Sequence, residues 1–113
     1  MSVITTHVLD TARGRPAAGV AVELDLRERG GWRPIGRGTT DAEGRLRDLV
    51  HEPALVEPGV YRLVFDTAGY FNGRGQAAFY PRVTVEFEVV AGETHYHVPL
   101  LLSPFGYATY RGT

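Results

Sequence analysis

The chain has 113 residues, with 12 basic and 13 acidic side chains and a formal net charge of −1. A charge this balanced offers no electrostatic attraction for nucleic acid or an anionic membrane, so neither is expected as a partner. The sequence contains no cysteine, which excludes disulfides and thiolate metal sites. Its length is that of one domain, because most domains have about 100–150 residues.

The opening segment gives an expectation about location. MSVITTH lacks a basic stretch followed by an apolar one, so it does not have the pattern of a secretory signal. No apolar run approaches the ~20 residues that a membrane-spanning helix needs. We therefore expect a cytoplasmic protein.

The first half of the chain is predicted to form β-strands, in which side chains alternate between two faces. VITTHVLDT (3–11) and GWRPIGRGTT (31–40) are strand candidates. Between them, GVAVELDLRE (19–28) alternates clearly, with valines and leucines on one face and charged residues on the other. GVYRLVFDT (59–67) carries apolar residues on both faces, which predicts a strand buried on two sides.

The second half continues the strand pattern after one interruption. TAGYFNGRGQAAFYPR (67–82) is the only place for a short helix, and its glycines weaken that helix by about 1 kcal/mol each relative to Ala. RVTVEFEVV (82–90) alternates as clearly as 19–28 does, and THYHVPLLLS (94–103) and GYATYRG (106–112) are further strand candidates.

Turn sequences separate these strands. ARGRPAAG and ERGG are typical of hairpin connections, DAEG supplies the Asp and Gly of a tight turn, and EPGV is a Pro-Gly turn. Several short strands joined by such turns predict an antiparallel β-sandwich. We therefore predict one all-β domain over residues 1–113.

Four histidines are candidate acid–base groups, because histidine titrates nearest to neutral pH. They are His7, His51, His95 and His97. A strand histidine is also commonly a hydrogen-bonding surface group, and we interpret His51 as loop surface. His95 and His97 lie at i and i+2, so on a strand they point to the same face. Two ligands are too few for a metal site, and we predict no metal and no cofactor.

Every one of the 12 basic residues is an arginine. The guanidinium fork suits a developing oxyanion or a planar, hydrogen-bonding substrate, because it stays charged and carries five donors. Arg45 follows directly after the DAEG turn, at the beginning of a strand. A solvated strand end explains that position equally well, and the residue pattern leaves both interpretations open.

Three segments together resemble a known family. THVLDTARGRPAAGVAVEL near the beginning, TDAEGR in the middle and HYHVPLLLSPFGYATYRGT at the end are similar to the 5-hydroxyisourate hydrolase family, the transthyretin-related proteins of purine catabolism. The likeness runs through essentially the whole chain in the same order. Its last segment is long and unusual in composition, which makes it the most specific of the three.

The resemblance implies a transthyretin-like fold of two four-stranded antiparallel sheets and one short helix. It also implies a homotetramer, a dimer of dimers, with active sites at a subunit interface. The implied reaction is a cyclic amide hydrolysis in urate degradation, in which 5-hydroxyisourate becomes 2-oxo-4-hydroxy-4-carboxy-5-ureidoimidazoline.

The family's functional residues carry over to particular positions of this chain. The resemblance implies catalytic roles for His7, Arg45, His97 and Thr113, and substrate-binding roles for Tyr110, Arg111 and Gly112, with His95 as a supporting residue. The family usually ends in Ser where this chain has Thr113. Both side chains carry a hydroxyl, so we expect at most a modest change in rate or fit.

The family mechanism gives a hypothesis for these roles. His97 and His7 share the acid–base work, Arg45 holds the substrate ring and stabilises the oxyanion, and Thr113 hydrogen-bonds substrate or water. The sequence does not assign the general base to either histidine. Two non-catalytic alternatives remain open: a small-ligand carrier like transthyretin, and a carboxypeptidase-regulatory-like β-sandwich module.

Overall fold

A computed structural model describes residues 3–50 and 56–113. In chain order these form β1 (Val3–Asp10), β2 (Arg15–Pro16), β3 (Ala21–Glu28), β4 (Gly31–Thr39), β5 (Arg45–Leu46), β6 (Gly59–Phe65), α1 (Thr67–Asn72), β7 (Val83–Val89), β8 (His95–Ser103) and β9 (Gly106–Thr109). His51, which we predicted to be loop surface, lies outside the described residues.

The strands form two sheets, which confirms the predicted β-sandwich. The first sheet has the order β2-β1-β8-β9, with the short β5 also paired to β1, and the second has the order β4-β3-β6-β7. β5 is an addition to the four strands expected there. It pairs with Thr6 and His7 of β1, whereas β2 pairs further along the same strand.

One strand pair departs from the antiparallel prediction: β1 and β8 run parallel. A tight turn forces its two flanking strands to be antiparallel, but a long connection imposes no such direction. β1 and β8 are separated by the whole second sheet in the sequence, so sandwich packing decides their direction. This parallel pair is the centre of the first sheet and carries the candidate site.

The core lies between the sheets and follows the predicted alternation. Leu24 of β3, Leu63 of β6 and Leu100 of β8 are fully buried there. One charged residue departs from the pattern, because Asp25 on the polar face of β3 is only 1% exposed. The guanidinium of Arg62 covers it, with Nε 2.7 Å from Asp25 Oδ2.

The short helix lies inside the predicted segment 67–82. The side chain of Asp66 caps its first turn by accepting a hydrogen bond from Gly69 N at 3.0 Å. Tyr70 and Phe71 are buried, and the Tyr70 hydroxyl donates to Asp10 Oδ2 at 2.8 Å, which fastens the helix to the end of β1. Within the described part of the chain, no helix is long and apolar enough to cross a membrane.

Candidate active site

The outer face of the first sheet gathers the candidate residues from three strands. In the parallel pair of β1 and β8, Thr5 lies opposite His97 and Val3 opposite His95; in the antiparallel pair of β1 and β5, His7 lies opposite Arg45. Directly opposed residues of neighbouring strands point to the same face. The intervening residues, such as Ile4 and Val98, are buried in the core.

A cavity of about 340 Å³ opens on this face, a size within the usual range for small-molecule sites. It is lined by Val3, Thr5, Thr6, Arg45, Arg47, His95, His97 and Thr113. Four predicted residues therefore meet there: Arg45, His95, His97 and Thr113. His7 shares the sheet face but does not line the cavity itself.

His97 is held from one side of its ring. Its Nδ1 is 2.8 Å from the hydroxyl oxygen of Thr5, which leaves Nε2 as the nitrogen that can exchange a proton with a bound molecule. Burial lowers the pKa of His97, and the positive charges of Arg45, His7 and His95 lower it further. The neutral imidazole, which is the form that can accept a proton, is therefore favoured.

His7 contacts the tight turn that precedes β5. Its Nε2 lies 2.8 Å from the backbone carbonyl oxygen of Glu43. A carbonyl oxygen only accepts hydrogen bonds, so Nε2 carries the hydrogen and Nδ1 is the acceptor in the neutral ring. The contact fixes both the tautomer and the position of the ring.

The DAEG turn positions Arg45 by local hydrogen bonds. The Asp41 carboxylate accepts from the backbone N–H groups of Glu43 at 2.8 Å and Arg45 at 2.9 Å. Gly44 has φ of +77°, and a Cβ there would lie 2.3 Å from the carbonyl oxygen of Val8, so only glycine fits against β1. Among residues 3–50 and 56–113, no carboxylate forms an ion pair with Arg45, which leaves its charge available to a ligand.

The C-terminal residues return to His97. Gly112 N donates to the carbonyl oxygen of His97 at 2.8 Å, closing an isolated β-bridge. A Cβ on Gly112 would be 2.6 Å from Cδ2 of the His97 ring and 3.3 Å from Pro99 Cγ. The lack of a side chain at Gly112 therefore permits this close approach, and Thr113 follows it into the cavity.

Tyr110 and Arg111 lie elsewhere. Arg111 Nη2 is 3.5 Å from Glu93 Oε2 and donates to the carbonyl oxygen of His95 at 3.3 Å, and its guanidinium carbon lies 4.8 Å from the centre of the Tyr96 ring. Tyr110 is 55% exposed. Both line a separate cavity of about 320 Å³, so they do not meet His97 within one chain, and their substrate-binding role stays a prediction.

Four lining residues were not predicted from the sequence: Val3, Thr5, Thr6 and Arg47. Arg47 lies two residues after Arg45 and adds a second guanidinium to the cavity; the i, i+2 spacing was a usable signal, although arginine is common in this chain. Thr5 had no signal, because its role depends on β8 lying alongside β1. His95 does line the cavity, with its ring centre 6.5 Å from that of His97. Within the described ranges, no group of three or more His, Asp or Glu side chains is arranged to hold a metal ion.

Comparison with known proteins identifies the family. The model of the HIUase/Transthyretin family matches residues 4–112. The chain belongs to this family. Among curated relatives, 5-hydroxyisourate hydrolase from Mus musculus is 45% identical, with 99% of this chain and 96% of the relative covered. The protein of the same name from Pseudomonas aeruginosa is 40% identical, with 100% and 93% covered.

Solved structures give the same fold for both branches of the family. Sea bream transthyretin in complex with thyroxine superposes with a TM-score of 0.90 at 37% identity, covering 97% of this chain and 94% of that one. Klebsiella pneumoniae 5-hydroxyisourate hydrolase gives 0.86 at 32% identity, covering 99% and 100%. The fold alone therefore does not separate carrier from enzyme.

Proposed function

We propose that this protein hydrolyses 5-hydroxyisourate to 2-oxo-4-hydroxy-4-carboxy-5-ureidoimidazoline in urate degradation. The observation that carries the proposal is one cavity that holds His97, with its lowered pKa, beside Arg45 and Thr113. Perturbed titratable groups in a cavity are typical of catalytic sites. The hydrolase names of relatives that are 40% and 45% identical support the same reaction.

The proposed reaction opens a cyclic amide with water. Neutral His97 takes a proton from the attacking water, whose oxygen bonds to the carbonyl carbon; the C–N bond then breaks and the nitrogen receives the proton that His97 took from the water. His97 is the favoured base because its lowered pKa keeps the ring unprotonated. His7, whose Nε2–H is held by the Glu43 carbonyl, orients water through the acceptor Nδ1 of its ring.

Arg45 has the second proposed role. Its guanidinium offers a fixed positive charge to the carbonyl oxygen, on which negative charge develops as water attacks. Arg47 lines the same cavity and adds donors for the oxygen-rich substrate. Thr113 contributes its hydroxyl to substrate or water, and His95 supports binding beside His97.

We further propose that a homotetramer forms with the sites at a subunit interface, as the family resemblance implies. Leu9 and Leu101, directly opposed on β1 and β8, give this outer face an apolar portion that is only half-buried in one chain. Covering it with a second copy would exclude water from the site and bring further residues to it. Sedimentation of the purified chain tests the assembly.

The experiment that tests the function generates the substrate in place with uricase and follows its ultraviolet decay. Wild-type protein should accelerate the decay, and His97→Asn should reduce turnover about 100-fold or more, with an unchanged circular dichroism spectrum. Wild-type decay no faster than the spontaneous reaction would overturn the proposal. A carrier would instead bind thyroxine without accelerating the decay, and a structural module would do neither.

A further inference from the structure

Three arginines surround a small cavity at the end of the sandwich, away from the candidate active site. The cavity has a volume of about 280 Å³, and its lining includes Arg13, Arg15 and Arg74 together with Pro16, Ala42 and Tyr70. It shares no residue with the cavity that holds His97. The predicted reaction assigns no role to any of the three arginines.

The turn after β1 brings two of these arginines to the cavity. Arg13 follows the buried Asp10, whose Oδ1 accepts from Arg13 N at 3.2 Å. The chain then turns through Gly14, with φ of +66°, and Arg15 returns to pair with Asp10 across β1 and β2. The two guanidinium side chains therefore flank one glycine in a hairpin whose backbone is fixed.

The end of α1 brings the third arginine, Arg74, to the cavity. Arg74 N donates to the carbonyl oxygen of Phe71 at 3.0 Å, and its guanidinium carbon lies 5.8 Å from the centre of the Tyr70 ring. Arg13 Nη1 donates to the Tyr70 hydroxyl at 3.4 Å. One largely buried tyrosine thus contacts both guanidinium groups, one at its hydroxyl and one over its ring.

In the part of the chain that the structure describes, no carboxylate borders the three guanidinium groups of the cavity directly. Within residues 3–50 and 56–113, none of the three arginines forms an ion pair, and no carboxylate belongs to the lining. Asp10 lies behind Tyr70, fully buried, and its two oxygens already accept from Arg13 N and the Tyr70 hydroxyl. Three like charges around one concavity repel one another, and a multiply charged anion between them removes that repulsion.

We propose that this cavity is an oxyanion site for a phosphate group, either free or carried by a small molecule. Guanidinium donors match phosphate oxygens in pairs, which a chloride ion cannot exploit. Each arginine also keeps donors for a ligand, since a guanidinium has five and only Arg13 gives one to Tyr70. Pro16 and Ala42 complete the wall. Because both side chains are apolar, the charge of a bound ligand is selected by the arginines.

Isothermal titration calorimetry on the full chain tests the site, with pyrophosphate and ADP as probes at matched ionic strength. We expect saturable binding, and at least a tenfold weaker affinity in Arg15→Gln/Arg74→Gln. The matched control, Arg27→Gln/Arg29→Gln, removes the same charge from exposed arginines around the end of β3 and should bind like the wild type. Similar affinity for both probes indicates the phosphate group alone, and tighter ADP binding indicates a nucleotide; either result supports the site.

Two results would overturn the proposal: no saturable heat with either probe, or an equal loss of affinity in the control pair. Arg15→Gln alone serves if the double variant does not fold, because the exposed Arg15 side chain makes no hydrogen bond or ion pair within the described ranges. Decay of 5-hydroxyisourate is measured on the same samples and should be unchanged in both double variants. If the wild-type protein does not accelerate that decay, the result contradicts the proposed function but not the oxyanion site.

Discussion

The two sheets treat charge on their outer faces in opposite ways. On the second sheet, Asp25 and Arg62 are directly opposed and form an ion pair at 2.7 Å, and the Arg62 guanidinium carbon also lies 4.4 Å from the centre of the Trp32 ring. On the first sheet, the charges that act on His97 are those of Arg45, His7 and His95. One face pairs opposite charges, and the other collects groups of like charge.

An ion pair stabilises a buried charge, whereas a titratable group without such a partner has a shifted pKa. A buried carboxylate is tolerated in the second sheet because a guanidinium pairs with it. The first sheet has no such compensation at His97, so the cost of protonating the imidazole appears as a lowered pKa. A surface that collects like charges contributes little to stability, but the shifted pKa that results is suitable for proton transfer near neutral pH.

The largest effect is expected from breaking the pair on the second sheet. Arg62→Met leaves Asp25, 1% exposed, without its partner, which should cost about 3 kcal/mol of unfolding free energy. Urea denaturation measures the loss, while turnover per folded molecule should stay the same. Arg33→Met is the matched control, because Arg33 and Glu28 pair with side chains 47% and 46% exposed and such pairs contribute under about 1 kcal/mol. Equal losses in the two variants would contradict the special status of Asp25.

The next largest effect is expected from a substitution in the first sheet that changes no charge. Gly112→Ala puts a methyl group 2.6 Å from His97 Cδ2, so the ring or the C-terminal bridge must move. Misplacing a reacting group by about 1 Å can cost 100-fold, and we expect turnover to fall about 10- to 100-fold in the uricase-coupled assay. Gly106→Ala is the control, because its nearest contact would be an ordinary 3.7 Å to Ser103 Oγ. Unchanged turnover in Gly112→Ala would show that the His97 position does not matter.

A smaller effect tests the like charges directly. Arg45→Gln removes one of the positive charges that lower the pKa of His97, after burial the largest contribution. The pKa should then rise toward its ordinary value of 6.5, and the acid limb of the kcat/KM profile of the residual activity should move to higher pH. Arg47→Gln serves as the control, because Arg47 lines the cavity but is not among the charges that shift His97. An acid limb at the same pH in Arg45→Gln would contradict this account.

The smallest effect concerns a second carboxyl on the paired face. The pKa of Glu23 is raised, first by hydrogen bonding to the Asp25 carboxyl, then by burial and by the Asp25 charge. In the described part of the chain, Asp25 Oδ1 has no hydrogen-bond partner, and a protonated Glu23 carboxyl offers the Asp25 carboxylate a donor. The stability that this proton provides is therefore lost as pH rises from the ordinary value of 4.5 through the raised pKa.

Glu23→Gln keeps a donor that does not titrate. The unfolding free energy of the variant minus that of the wild type should therefore increase as pH rises through this window. Urea denaturation from mildly acidic to neutral pH measures this difference. Glu88→Gln removes an exposed carboxylate from the same face and should follow the wild type. Parallel pH profiles for Glu23→Gln and wild type would contradict a shared proton.

The local structure around Arg45 was predictable because a short sequence contains all its causes. DAEG supplies the Asp41 carboxylate and the Gly44 conformation that begin β5, and the alternation in 19–28 and 82–90 gave strands with the expected buried faces. The family likeness of the last segment pointed to His97 and Thr113, which do line one cavity. It also grouped Tyr110 and Arg111 with them, although these two side chains line another cavity.

The sequence by itself therefore determined the strands, their turns, the short helix and the identity of the candidate catalytic residues, because each depends on neighbours within a few positions or on a recognisable motif. Only the tertiary structure decided that β8 lies parallel to β1, which puts Thr5 beside His97, and that Arg13, Arg15 and Arg74 meet around Tyr70. Such contacts join residues far apart in the chain, and packing two sheets and a helix around one core selects them from many alternatives that the local pattern allows equally.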